Sequence, residues 1–108
     1  MAEVNRGEIW HCSFSSPNRR RPVLVLTRQE ILGHLQSVTV APITTVIRGI
    51  PTEVMVGPED GLKHVSAVNL DNVATVPKAV LRNYLGTANA EVMLRVREAL
   101  LFALGFDR

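Results

Sequence analysis

Three arginines in a row, Arg19, Arg20 and Arg21, run straight into Pro22 and the strand formers Val23 to Thr27. Pro22 fixes its own φ and pushes the residue before it toward extended backbone. Arg21 is therefore the arginine held most firmly. A guanidinium is planar, permanently charged and able to grip a phosphate through two N–H donors at once. The chemistry this run suggests is the handling of an anion. Other chemistries lack their parts. His11 and Cys12 are adjacent, but strand neighbours point to opposite faces, so the two do not hold a metal together. His34 and His64 have no partners at zinc-site spacing, and His64 reads as an exposed loop residue. Glu59 and Asp60 lie in the turn GPEDG, where solvation accounts for both. Neither a Gly-rich phosphate loop nor a GxSxG elbow is present. Cys12 is the only cysteine; it excludes an internal disulfide and reads as a small buried hydrophobe. What remains is arginine, threonine, serine and asparagine.

These side chains need a scaffold, and the first two thirds of the chain read as short strands separated by turns. Glu8 to Phe14 alternates loosely. Val23 to Leu26 is a continuous apolar run, as expected for a strand covered on both faces. Gln29 to Leu35 suits a short helical turn. Ser37 to Ala41 alternates cleanly and is expected to end or bulge at Pro42, which has no N–H for a ladder. Thr52 to Val56 and Val65 to Leu70 are further strands, with a type I turn at PEDG between them. Thr75 and Val76 add a short one, and Pro77 to Leu81 suits one helical turn.

The last segment changes period. Asn89 is a good N-cap. Val92, Val96, Ala99, Leu100 and Ala103 then recur at helical spacing. Glu91 and Arg95 form an i,i+4 pair, and Gly105 stands where a C-terminal cap belongs. Leu94 and Leu101 lie off the main stripe, on a face open to the sheet's rim or to a second subunit. Short strands at close spacing plus one terminal helix predict a small, strongly bent barrel packed by that helix, of the SH3-like or OB type.

Composition agrees with one compact domain over residues 1–108. Apolar residues make up 46% of the chain, which excludes a disordered polypeptide. No apolar run reaches the length of a membrane span, and the charged N-terminus has no signal-peptide core. The lone cysteine fits a reducing cytoplasm. Net charge is +2, but its distribution says more. Arg19, Arg20, Arg21, Arg28 and Arg48 cluster early, whereas the acidic residues lie mostly later. A basic patch beside a sheet fits a phosphate-binding surface.

Several ordered stretches together resemble one family. They are RGEIW at Arg6 to Trp10, RPVLVLT at Arg21 to Thr27, VTVAPITT at Val38 to Thr45 and IRGIPTEV at Ile47 to Val54, followed by GLKHVSAVNLDNVATVPKAVL. This order and spacing is similar to the MazF/PemK toxins of bacterial type II toxin–antitoxin systems, over nearly the whole chain. The resemblance implies an SH3-like barrel with a C-terminal helix, assembled as a homodimer. It implies an mRNA interferase: a metal-independent endoribonuclease, with no cofactor, that cuts single-stranded RNA at short sequences. The products are a 2′,3′-cyclic phosphate and a 5′-hydroxyl. A MazE-like antitoxin would lay its C-terminal peptide over the active-site groove.

The same resemblance assigns Arg21 as the catalytic arginine and Thr44 as the catalytic threonine. RNA carries its own nucleophile, the 2′-OH, so the enzyme need only align it and stabilise charge on the phosphoryl oxygens. Arg21 would neutralise that charge and Thr44 would hold the alignment. Arg19 and Arg20 would contact neighbouring phosphates. Thr45, Arg48 and Asn72 would line the groove and read exposed base edges. Trp10 is assigned to packing. The loop Ser15 to Arg20 is shorter than in many members and, with Arg21, ends in PNRRR. Two rival functions fit the same fold: a CcdB-like gyrase poison without nuclease activity, and a barrel that only binds RNA or a peptide. The gyrase poison engages through a Trp-Gly-Ile end, whereas this sequence reads Gly105-Phe106-Asp107-Arg108.

Overall fold

The computed structural model describes residues 3–13 and 20–108. Seven strands and two helices follow one another: β1 (Glu8–Ser13), β2 (Arg20–Val25), α1 (Gln29–Leu32), β3 (Ser37–Thr44), β4 (Glu53–Val56), β5 (Ser66–Asn69), β6 (Ala74–Pro77), β7 (Leu81–Thr87) and α2 (Ala90–Leu104). Short 3-10 turns at Pro58–Asp60, Leu70–Asn72 and Lys78–Val80 join the later strands. All pairings are antiparallel, in the order β4-β5-β3-β2-β1-β7, with β6 also on β3. This is the bent antiparallel sheet with a C-terminal helix that the pattern predicts.

The bend comes from β3, which serves three partners along its length. Ser37 to Val40 pair with β6, Val40 to Pro42 with β2, and Ile43 and Thr44 with β5. The strand therefore leaves one side of the barrel and enters the other. Two cores result. Ile9, Leu24, Ala41, Ile43, Val54 and Val68 pack with Val92, Val96 and Ala99 of α2, while Trp10, Cys12, Val23, Val25, Val38 and Val40 form the second. Successive residues of β2 thus feed opposite cores, which is why Val23 to Val25 is apolar without alternation.

Both ends of α2 are closed as expected. The Asn89 side-chain oxygen accepts the Val92 N–H at 2.9 Å, and Gly105 turns left-handed at φ 78°. The Glu91–Arg95 pair is 3.9 Å apart and well exposed, so it adds little stability. Trp10 is buried edge-on to Tyr84, with ring centroids 5.9 Å apart, and its indole N–H donates to Glu8 at 3.0 Å. It is a packing residue.

Four local expectations need correction. β3 does not stop at Pro42. It continues to Thr44 because Pro42 falls where the strand exchanges β2 for β5, and a missing N–H costs least at such an exchange. β2 begins at Arg20 rather than Val23, so Arg21 is inside the ladder opposite Cys12. β7 was not legible, because only Leu81 of its residues is buried and its period-2 signal is weak. Asp60 is not a solvated turn carboxylate: it is buried, and its Oδ2 accepts the Gly57 N–H at 2.9 Å.

One close approach ties the 57–61 turn to β7. A Cβ on Gly61 would lie 2.1 Å from the Leu85 carbonyl oxygen, and one on Gly86 would lie 2.1 Å from that of Asp60. Gly61 also has φ 95°, a left-handed value that glycine adopts at least cost.

Candidate active site

The β2–β3 ladder runs Val25↔Val40, Leu24↔Ala41 and Val23↔Pro42 and then stops. Two rungs further along the same register lie Arg21 on β2 and Thr44 on β3. Both keep the facing of Val23 and Pro42, since side chains two apart share a face. Because the ladder has ended, the two strands are free to splay there. Pro22 and Pro42, on either side of this end, cannot donate to extend it. The opening is a cleft of about 260 Å³ lined by Arg21, Pro42, Thr44, Val46, Arg48, Glu53, Asn69 and Asn72.

Each wall has a local cause. The Thr44 hydroxyl oxygen accepts the Val46 N–H at 3.1 Å. Its own hydrogen is therefore directed elsewhere and can be donated to a bound oxygen. Glu53 opens β4 and faces the cleft because Val54 beside it faces the core. One of its oxygens accepts the N–H groups of both Arg48 (3.0 Å) and Gly49 (2.9 Å), which seats the segment carrying Arg48. On the far wall, the Asn69 side-chain oxygen accepts the Asp71 N–H at 2.9 Å. Asp71 in turn accepts the hydroxyl hydrogen of buried Thr52 at 2.6 Å. These bonds hold the 3-10 turn that presents Asn72 against the start of β4.

Arg21, Thr44, Arg48 and Asn72 thus share one cleft, as the sequence reading required. Thr45 does not. One residue beyond Thr44, it turns to the opposite side and lines a separate cleft with His11, Pro22 and His64. Arg20 is exposed and precedes Arg21 by one residue, opposite Ser13, so it does not join that lining. Arg19 lies outside the described residues. Glu53 and Asn69 are site residues that sequence reasoning missed. Glu53 begins β4 beside Val54 and Asn69 ends β5 between Val68 and Leu70, a polar residue at a strand end, a signal available in TEVMV and AVNL but shared with any solvated strand end.

The cleft has two guanidinium-bearing residues and one carboxylate, already engaged by two backbone donors, so it suits an anion. Among the described residues no group of three or more His, Cys, Asp or Glu could hold a metal ion. Cys12, opposite Arg21 in the ladder, is fully buried, and burial pushes its thiol above the ordinary range. It is held as a neutral thiol and offers no nucleophile.

A separate groove of about 680 Å³ runs between β4 and the end of α2, past Met55, Phe102 and Phe106. It shares Glu53 with the cleft but none of the arginines or the threonine. Among the described residues no helix is long and apolar enough to cross a membrane.

Comparison with known proteins agrees with this fold. Residues 5–104 match the family of PemK-like, MazF-like toxins of type II toxin–antitoxin systems. Endoribonuclease MazF3 of Mycobacterium tuberculosis is 42% identical over 90 residues, which span 83% of this chain and 87% of the relative. The solved M. tuberculosis toxin MazF-mt6 superposes with a TM-score of 0.86 at 39% identity, covering 94% of this chain and 99% of that one. A mycobacterial endoribonuclease in complex with its cognate antitoxin superposes at 0.89 with 32% identity, covering 98% and 99%. The match over residues 5–104 and the identity to the curated relative mean that this chain belongs to the PemK-like, MazF-like toxins of type II toxin–antitoxin systems.

Proposed function

We propose that the chain is the toxin of a type II toxin–antitoxin system and an endoribonuclease that cuts single-stranded RNA, with Arg21 and Thr44 at the scissile phosphate. One observation carries the assignment: a guanidinium and a hydroxyl with a hydrogen to donate line a single cleft at the open end of the β2–β3 ladder. The whole of residues 1–108 is read as one toxin unit.

In the reaction the 2′ oxygen attacks phosphorus and the bond to the 5′ oxygen breaks. The proton lost by the 2′-OH is balanced by one gained at the leaving oxygen. The products are a 2′,3′-cyclic phosphate and a 5′-hydroxyl. Arg21 stabilises charge on the phosphoryl oxygens, where a fixed cation acts without reorganising. A guanidinium has no lone pair to accept a proton, so Arg21 is not the base. Thr44 donates to a phosphoryl oxygen and keeps the attacking and leaving oxygens in line. Arg48 and Asn72 contact the flanking nucleotides, and Arg19 and Arg20 add salt-dependent, sequence-independent affinity. No step calls for a metal.

Two partners follow from this reading. A MazE-like antitoxin is supported by the mycobacterial relative, which is solved in complex with its cognate antitoxin; its C-terminal peptide would lie over the active-site groove. A second copy of the chain is supported by the exposed Leu94, Phe102, Leu104 and Phe106 of the α2 region. The cytoplasm is where RNA, antitoxin and an unpaired cysteine would coexist.

The test is incubation of the purified protein with single-stranded RNA in EDTA, beside Arg21→Ala. Cleavage by the wild type alone, leaving 5′-hydroxyl ends, supports the reading. Intact RNA over diverse sequences, or inhibition of DNA gyrase instead, would sink it. So would cleavage at a position where the nucleotide is 2′-deoxy.

A further inference from the structure

On the other side of the β2–β3 opening lies a second cleft of about 280 Å³. Pro22, Leu62 and Leu85 supply apolar carbon, and His11, Lys63 and His64 supply ring faces and cationic or hydrogen-bonding groups. Among the described residues no Asp or Glu lines it. Its floor is held rigidly, because Gly61 and Gly86 let the turn and β7 touch backbone to backbone beside Leu62 and Leu85.

We infer that this cleft is a nucleotide subsite, taking a base and its phosphate from the RNA strand that flanks the scissile bond. The inference rests on the proposed nuclease function. Two features argue for RNA as the occupant. The first is continuity. Arg21 and Thr44 line the reaction cleft, while their immediate neighbours Pro22 and Thr45 line this one. A strand crossing the end of the ladder passes from one to the other. The second is complementarity. A lining of apolar carbon and imidazoles suits the face of any base, and Lys63 can donate to the phosphate, the pairing by which proteins hold unpaired nucleic acid. Lys63 and His64 are exposed, and neither has a place in the reaction cleft.

The experiment first maps the cut made by the wild-type protein. It then measures binding of oligoribonucleotides that carry 2′-deoxyribose at that cut, full-length or shortened from either end. In the wild type, removing the nucleotide that occupies the subsite weakens binding about tenfold, the effect of one lost stack. In Lys63→Ala/His64→Ala the full-length oligonucleotide binds about tenfold more weakly and the same shortening has no further effect. Lys63→Ala alone lowers the slope of log K against log salt by about 0.7. Cleavage of the shortened RNA is unchanged, and thermal unfolding checks that each variant is folded. A variant that suffers the full penalty of shortening, or one weakened equally toward short and long RNA, overturns the subsite while leaving the nuclease intact. A wild-type protein that cuts no RNA overturns the function and the subsite together.

Discussion

Arg21 and Thr44 occupy facing positions two rungs past the last pair of the β2–β3 ladder, Val23↔Pro42, and line the cleft that opens there. Their nearness depends on register. A slip of one residue in either strand would send one of the two side chains to the opposite face. The cores on both sides of β2 and β3 make such a slip costly, since Val23, Leu24, Ala41 and Val40 are all fully or almost fully buried.

Arg21→Lys keeps the charge but loses the planar fork. Cleavage of single-stranded RNA under single-turnover conditions should fall about 100-fold or more, as when one preorganised donor to a developing charge is removed. Thr44→Val should cost about as much, whereas Thr44→Ser should stay within about tenfold of wild type. Equal rates for Ser and Val would refute a role for the hydroxyl.

Glu53 seats the segment that carries Arg48 through two backbone N–H groups. Glu53→Ala should destabilise by about 1 kcal/mol in a urea titration and slow cleavage roughly tenfold. Glu53→Gln retains a carbonyl acceptor and should recover most of both. If Gln proved as damaging as Ala in cleavage while stability was restored, the carboxylate charge itself would matter.

Gly86→Ala forces a methyl group against the Asp60 carbonyl. Overpacking at rigid backbone costs about 2–3 kcal/mol, a fall of roughly 10–20 °C in Tm for a chain this size. Gly33→Ala, where a Cβ meets nothing within 4 Å, is the matched control and should leave Tm near wild type.

Cys12 should resist thiol reagents at pH 8 in the folded protein and react promptly in urea. Burial raises its thiol, so the folded state holds the proton longer than the unfolded chain does. Stability from this group is therefore complete below the unfolded thiol's pKa of about 8.5 and declines as pH rises above it. Fast labelling of the native protein would contradict the burial.

Much of the architecture is local and so readable along the chain. α2 is marked by Asn89, its apolar stripe and Gly105, and each acts within a few residues of itself. The doubly buried β2 announces itself as VLV because both its faces meet apolar cores. β7 was missed because an edge strand needs few buried side chains; β1 supplies its hydrogen bonds. The end of β3 was misplaced because the tolerance for Pro42 depends on where that strand exchanges partners, and no property of Pro42 itself reports that exchange.

The site divides in the same way. The arginine run against Pro22 marked Arg21 as an anchored cation, but its catalytic role and that of Thr44 came from the family resemblance, since a β-branched residue at a strand end carries no signal of its own. Only tertiary structure decided that Thr45 leaves the reaction cleft, that Glu53 and Asn69 enter it, and that a second, cationic cleft adjoins it. Those outcomes come from strands that splay once their shared ladder ends, and from a turn anchored by Asp71 to Thr52, nineteen residues away. Period and propensity are carried by near neighbours, whereas a cleft is enclosed by residues distant in the chain, and their meeting is set by how the whole sheet bends.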